Sequence, residues 1–137
     1  MRSSEMALCD TGPLVALFSR GQFAQPECEA ALHDFGGRLV TTFAVLTEAF
    51  HFLDQPAERD HLWNFVLGGG LGLVELSLSD LERMRRLMTK YADLPMDLAD
   101  ASLVVVGERL KLNRVFTLDR HFRLYRPRHA SSFSIFP

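Results

Sequence analysis

The chain has 137 residues, 47% hydrophobic and 23% charged, the make-up of a single globular domain spanning residues 1–137 that can bury a core unaided. It has no run of about 18 apolar residues, which excludes a membrane-spanning helix, and its net charge of −2 argues neither for nor against a nucleic-acid partner, because local patches decide that. The two cysteines, Cys9 and Cys28, form neither a CxxC pair nor a zinc spacing and read as reduced thiols of a cytoplasmic protein, with Cys9 buried.

Residues 1–5 are polar, lack the apolar stretch of a secretion signal, and are expected to form a loose leader. The apolar run Met6–Cys9 ends at Asp10; it is too short for a helix and fits a buried strand. After the Thr11-Gly12-Pro13 break, residues 14–18 start a short helix with Pro13 in its first turn. A second helix covers 26–35 and stops at Gly36-Gly37, and 39–41 is a second strand. Thr42 caps a helix over 43–53. Pro56 opens another, which carries Leu62, Trp63, Phe65 and Val66 and ends at Gly68-Gly69-Gly70. Residues 71–76 form a third strand. Ser79 then caps an amphipathic helix with Leu81, Met84, Leu87 and Met88 inward and Arg83, Arg85, Arg86 and Lys90 outward. Asp97 begins the next helix, to about Leu112. Its Val104-Val105-Val106 favours a strand by propensity, but Arg109 and Lys111 follow without a turn and the run is too long for one strand. Residues 114–119 are a fourth strand and 133–136 a fifth, at an edge. Alternating strands and helices predict an α/β fold with a mainly parallel sheet of four or five strands. Ligands of such sheets collect beyond the carboxyl ends of the strands, where this pattern puts Asp10 and Asp119.

Each acid in this pattern also has a plain structural use. Asp10 precedes a Gly-Pro turn and can cap it. Glu48 lies in an apolar helix among Val45, Phe52, Phe43, Leu46, Phe50 and Leu53; that helix is expected to be buried on more than one side, although a lone exposed stripe would carry Glu48 to solvent. Asp97 and Asp100 match an N-cap and N3 pair, favoured by the helix dipole, and a divided reading makes Asp97 mostly a cap and Asp100 mostly a ligand. Asp119 alone is a turn residue. If the set converges, it cannot all be ionised without a cation. At about 5 Å and an effective dielectric of about 20, each pair repels by roughly 3 kcal/mol. One or two Mg²⁺ or Mn²⁺ ions, which take carboxylate oxygens, would cancel that.

Four segments, in order and separation, resemble the motifs of PIN-domain nucleases, and within them of the VapC-type toxins of bacterial toxin–antitoxin pairs. They are Leu8-Cys9-Asp10-Thr11-Gly12-Pro13-Leu14, Thr47-Glu48-Ala49, Asp97-Leu98-Ala99-Asp100-Ala101 and Val115-Phe116-Thr117-Leu118-Asp119-Arg120-His121-Phe122. The likeness covers almost the whole chain. Carried over by position, it implies catalytic acids at Asp10, Glu48, Asp100 and Asp119, with Asp97 a frequent companion and the hydroxyls of Thr11 and Thr117 in support. It implies a three-layer sandwich around a parallel sheet. It also implies a Mg²⁺- or Mn²⁺-dependent endoribonuclease acting on single-stranded RNA, with tRNA a candidate substrate, often as a homodimer. A VapC-type member further implies an antitoxin chain filling the active-site groove.

Phosphodiester hydrolysis of this kind needs an activated water and relief of charge on the phosphate, which metal ions supply. Asp10 and Asp100 are expected to hold the main ion, with Glu48 and Asp119 completing its shell through water or binding a second. No nucleophilic Cys or His is then required. His33, His51, His61, His121 and His129 show no paired metal spacing, and His51, one turn from Glu48, is the one placed to line the groove.

Between Arg109 and His129, seven bases (Arg109, Lys111, Arg114, Arg120, Arg123, Arg126 and Arg128) face a single acid, Asp119. The asymmetry suits phosphate binding, with Arg120, Arg123 and Arg126 nearest the acid. A solvated tail or a surface for acidic residues of a partner protein would look the same. Tyr125, Phe122 and Phe133 are candidates to stack bases, although the two phenylalanines fit a core better. Arg83, Arg85 and Arg86 receive no role, and Gly68-Gly69-Gly70 lacks the Lys-Ser/Thr ending of a phosphate loop. Two rival functions stand beside the nuclease. One is a non-catalytic module of the same fold that holds RNA or protein. The other is an aspartyl-nucleophile phosphatase, which would want a second acid where Gly12 stands.

Overall fold

The computed structural model describes residues 5–137, and β1 (Met6–Cys9) is the middle strand of its five-stranded sheet. The order is β3-β2-β1-β4-β5, with β2 at Arg38–Thr41, β3 at Leu71–Leu73, β4 at Arg114–Phe116 and β5 at Ser134–Phe136. Every pairing is parallel, and Leu8 lies opposite Val40 on one side and Val115 on the other. Parallel strands need long crossovers. Helices α1 (Thr11–Phe18) and α2 (Gln25–Phe35) connect β1 to β2, α3 (Phe43–Phe52) and α4 (Pro56–Leu67) connect β2 to β3, and α5 (Leu78–Lys90) and α6 (Leu98–Leu110) connect β3 to β4. A single 3₁₀ turn, Arg120–Arg123, lies between β4 and β5. The helices flank the sheet as a layered α/β sandwich, and α2 stops where Gly36 turns left-handed at φ 62°.

A central strand covered on both faces has no polar side, which is why β1 reads as an unbroken apolar run: Ala7, Leu8 and Cys9 are fully buried. Helix α6 is buried all round from Ala99 to Gly107 and packs against β1, α3 and α5. That burial holds Val104, Val105 and Val106 helical against their strand propensity.

The structure corrects several boundaries. The cap of α5 is Ser77, not Ser79: Ser77 Oγ accepts from Asp80 N at 3.2 Å and Asp80 Oδ2 accepts from Ser77 N at 2.9 Å. Both serines have an acid three residues on, but Asp80 is the one anchored by Arg109 of α6, which fixes the helix start. The third strand stops at Leu73 and the fourth at Phe116, so Asp119 caps the 3₁₀ turn and is not a strand end. Helix α3 buries Val45, Leu46 and Ala49 but leaves Phe43 71% and Phe52 58% exposed, so it is buried on one face only. Arg83, expected outward, is turned in to Glu108. Of the expected loose leader, residues 1–4 lie outside the described residues, while Glu5 is tied down: its carbonyl accepts from Arg38 N at 2.8 Å and its carboxylate pairs with Arg114. No helix among the described residues is long and apolar enough to cross a membrane.

Candidate active site

The ends of β1 and β4 and the starts of α1 and α6 meet at one edge of the sheet. Asp10 follows β1 directly, and its backbone N–H donates to Phe116 O at 2.9 Å, which carries the β1–β4 ladder one step past the strand. Its side chain is 6% exposed, and Oδ2 accepts from Thr117 Oγ1 at 2.7 Å. The same threonine oxygen accepts from Asp119 N at 2.9 Å, so one hydroxyl holds two of the expected acids in register. Thr11, the next residue after Asp10, donates from Oγ1 to Glu48 Oε1 at 2.7 Å and ties α1 to the middle of α3. At the start of α6, Asp97 Oδ1 accepts from Asp100 N at 2.8 Å and Asp100 Oδ2 accepts from Asp97 N at 3.2 Å, a closed capping box. Beneath the site, Thr42 and Ser102 share a buried hydroxyl–hydroxyl bond of 2.6 Å that joins α3 to α6.

The acids are close enough to oppose one another's ionisation. Burial pushes Asp10 up to about 6; the bond from Thr117 works the other way, and Asp119 and Asp97 add to the rise. Burial, then Asp10 and Asp97, push Asp100 up to about 8. Glu48 is raised as well, by burial and by Asp97, against the pull of Thr11. Among the described residues no lysine or arginine forms an ion pair with Asp10, Glu48, Asp97 or Asp100. Asp97 closes the capping box with Asp100 as the sequence implies, and its charge also acts on Glu48. Asp119 stands at the margin, its Oδ1 accepting from His121 N at 2.9 Å and lying 3.0 Å from His121 Nδ1.

Among the described residues no three Asp, Glu, His or Cys side chains form a finished metal-ligand group. The donor set nevertheless fits a hard divalent cation in its chemistry: all are carboxylate oxygens, with Asp10 and Asp100 buried, Glu48 and Asp119 half-buried and Asp97 exposed, and among the described residues no lysine or arginine pairs with them.

The basic tail divides. Arg109 pairs with Asp80 and donates to Glu75 O, and Arg114 pairs with Glu5 and stacks on the rings of Phe35 and Phe136, so both are committed to the fold. Arg120, Arg123 and Arg126 stay exposed, with Arg126 donating to Arg123 O at 2.8 Å. Tyr125 cannot stack a base: it is fully buried between Tyr91 and Phe122, with its hydroxyl unpaired among the described residues. Phe122 and Phe133 are core residues. His51 points to solvent one turn from Glu48, its ring against Phe52.

A crossover-built parallel sheet with acids gathered at its carboxyl edge defines the class: the chain belongs to the PIN domain family, which matches residues 7–126. The chain is similar to Ribonuclease VapC26 of Mycobacterium tuberculosis (strain ATCC 25618 / H37Rv), with 26% identity over 134 residues, 95% of this chain and 99% of that protein. Two solved structures share the fold. VapC20 of Mycobacterium tuberculosis, described as a sarcin-ricin loop cleaving toxin, superposes with a TM-score of 0.79 at 14% identity, covering 93% of this chain and 99% of that one. VapBC2 from Rickettsia felis, solved with a DNA fragment from its promoter, gives a TM-score of 0.67 at 11% identity over 97% of this chain and 100% of that one.

Proposed function

We propose that the chain is a metal-dependent endoribonuclease that cuts single-stranded RNA, with tRNA a candidate substrate, and serves as the toxin of a type II toxin–antitoxin pair. The observation that carries this reading is the gathering of Asp10, Glu48, Asp97 and Asp100 without a lysine or arginine partner among the described residues, in a PIN-family chain with a relative named a ribonuclease.

Asp10 and Asp100 would hold a Mg²⁺ or Mn²⁺ ion directly, and Glu48 and Asp119 would complete the shell through water or hold a second ion. Such an ion, when bound, lowers the pKa of water and offsets charge on the phosphate. The chain's own residues do the positioning. Thr117 fixes one oxygen of Asp10 and Thr11 fixes one of Glu48, which leaves the other oxygen of each carboxylate for the site. The backbone N–H of Asp97 holds Asp100 in the same way. Arg120 and Arg123, on the 3₁₀ turn that Asp119 caps, and Arg126 three residues beyond it are exposed and suit the flanking phosphates. The exposed rings of Phe43 and Phe52 lie on the helix that carries Glu48 and offer apolar surface to an antitoxin chain. A homodimer and a cytoplasmic location, where RNA is at hand, belong to the same reading.

The experiment is Mg²⁺-dependent cleavage of RNA by Asp10→Asn and Asp100→Asn, with circular dichroism to check the fold. Loss of cleavage in folded variants is the expected result, and undiminished cleavage in both refutes the assignment. A folded wild-type protein that binds no Mn²⁺ by calorimetry would favour the non-catalytic module.

A further inference from the structure

A second concentration of positive charge lies along the seam of α5 and α6. Three contacts set its course. Arg83 of α5 grips Glu108 of α6 with bonds of 3.0 and 2.9 Å. Glu108 also accepts from the backbone N–H of Arg128 at 2.8 Å, and the backbone N–H of Arg126 donates to the Tyr91 hydroxyl, at the end of α5, at 2.8 Å. The chain from 126 to 128 therefore runs back along α5, from residue 91 toward residue 83.

Arg83 and Arg109 are neutralised there by Glu108 and Asp80. The charge left over is Arg85, Arg86 and Arg128, all exposed and without an ion pair among the described residues. Arg86 and Arg128 line one recess of about 390 Å³, and Arg86 and Arg85 line the next, also about 390 Å³. Arg85 borders Leu98, the residue after Asp97, in a third of about 450 Å³. Glu82 is the one acid lining these recesses that lacks an arginine partner among the described residues. The strip thus begins at Leu98, next to Asp97 at the start of α6, and leads along α5 to Arg128.

We propose that Arg85, Arg86 and Arg128 form a second RNA-binding surface, which grips the backbone of a folded RNA beyond the stretch held at the acids. The inference rests on the nuclease reading for the choice of polymer. An acidic protein would match the charge alone, whereas a phosphate chain lying in the acid site meets these arginines in succession. Contacts of this kind fix position and length, not base identity.

The test is binding to an Asp10→Asn protein, which leaves RNA uncut, with and without R85Q/R86Q, over a salt series. Bulk tRNA serves as the folded probe and a short single-stranded oligonucleotide as the local one. Neither arginine side chain makes a hydrogen bond or ion pair among the described residues, so the variant keeps its internal bonds. For tRNA, the slope of log K against log salt becomes shallower by about two, one per arginine, and binding at low salt weakens about tenfold. For the oligonucleotide, binding is unchanged, as is its cleavage when Asp10 is restored. An unchanged tRNA slope overturns the proposal, as does a loss confined to polyglutamate binding, which would assign the strip to an acidic protein. If wild-type protein cuts neither RNA with Mg²⁺ or Mn²⁺, the nuclease reading fails, and the tRNA slope still decides the strip.

Discussion

Asp100 and Asp80 occupy the same place in two different helices. Each is the third helical residue, each closes a capping box with the residue three before it, and each is 8% exposed. Their neighbours differ. Asp80 meets Arg109, and close by Glu108 meets Arg83; burial alone would raise Glu108, and the Arg83 bonds, the Arg128 N–H and the charges of both arginines together reverse it. Asp100 meets Asp10 and Asp97 and is pushed up to about 8. A buried carboxylate with a cationic partner holds helices together, whereas one among other carboxylates is costly until a cation arrives. The seam uses its acids for structure, and under the proposed function the sheet edge keeps its acids for a metal ion.

Substitutions that remove charge should therefore act in opposite senses in the two places. Asp10→Asn or Asp100→Asn lowers Mg²⁺-dependent RNA cleavage by about a thousandfold or more. Above pH 8, where both carboxylates are ionised in the folded chain, the same variants raise the melting temperature of the metal-free protein, because a repelled charge is gone while a hydrogen-bonding oxygen stays. At the seam, Glu108→Gln strands Arg83 in a mostly buried site and costs about 3 kcal/mol by denaturant unfolding. Cleavage of a short oligonucleotide per folded molecule stays at the wild-type level.

The pH dependence separates the two regions again. Asp10 and Asp100, with ordinary values near 3.8, rise to about 6 and about 8 in the folded chain. Above pH 4 the folded state holds protons that the unfolded state has released, so their contribution is full below pH 3.8 and is lost as pH rises through 6 and 8. The melting temperature of metal-free protein falls across that window in a calorimetric scan, and saturating Mn²⁺ removes the fall. Glu108 has the opposite sign: its contribution is present above its unfolded value and is lost on acidification. The smallest effect is expected of Thr117→Val, which deletes the bond to Asp10 and the acceptor for Asp119 N. About 1 kcal/mol of stability and about tenfold in Mn²⁺ affinity by calorimetry are its expected costs.

Local pattern made most of the fold legible before any coordinates. The apolar run before Asp10, the Thr42 cap and the Asp97–Asp100 pair announce themselves over a few residues, and all stand in the structure as that pattern implies. What stayed hidden depends on partners far along the chain. Arg114 and Arg109 look like free bases until Glu5 and Asp80 arrive from 109 and 29 positions away. Ser77 and Ser79 are equivalent caps by sequence, and the Asp80–Arg109 pair breaks the tie. Tyr125 sits in a polar, basic stretch, and only the packing of Tyr91 and Phe122 around it shows that its ring is core. The bond from Thr11 to Glu48 joins α1 to α3 across 37 positions that no short motif connects.

Anomalous diffraction from a crystal soaked in Mn²⁺ tests the proposed metal site most directly. The expected result is a peak bridging the carboxylates of Asp10 and Asp100, with Glu48 and Asp119 facing it. A saturated soak with no peak there, or with its strongest peak at another group of side chains, would contradict the reading of these acids as the metal-binding heart of the nuclease.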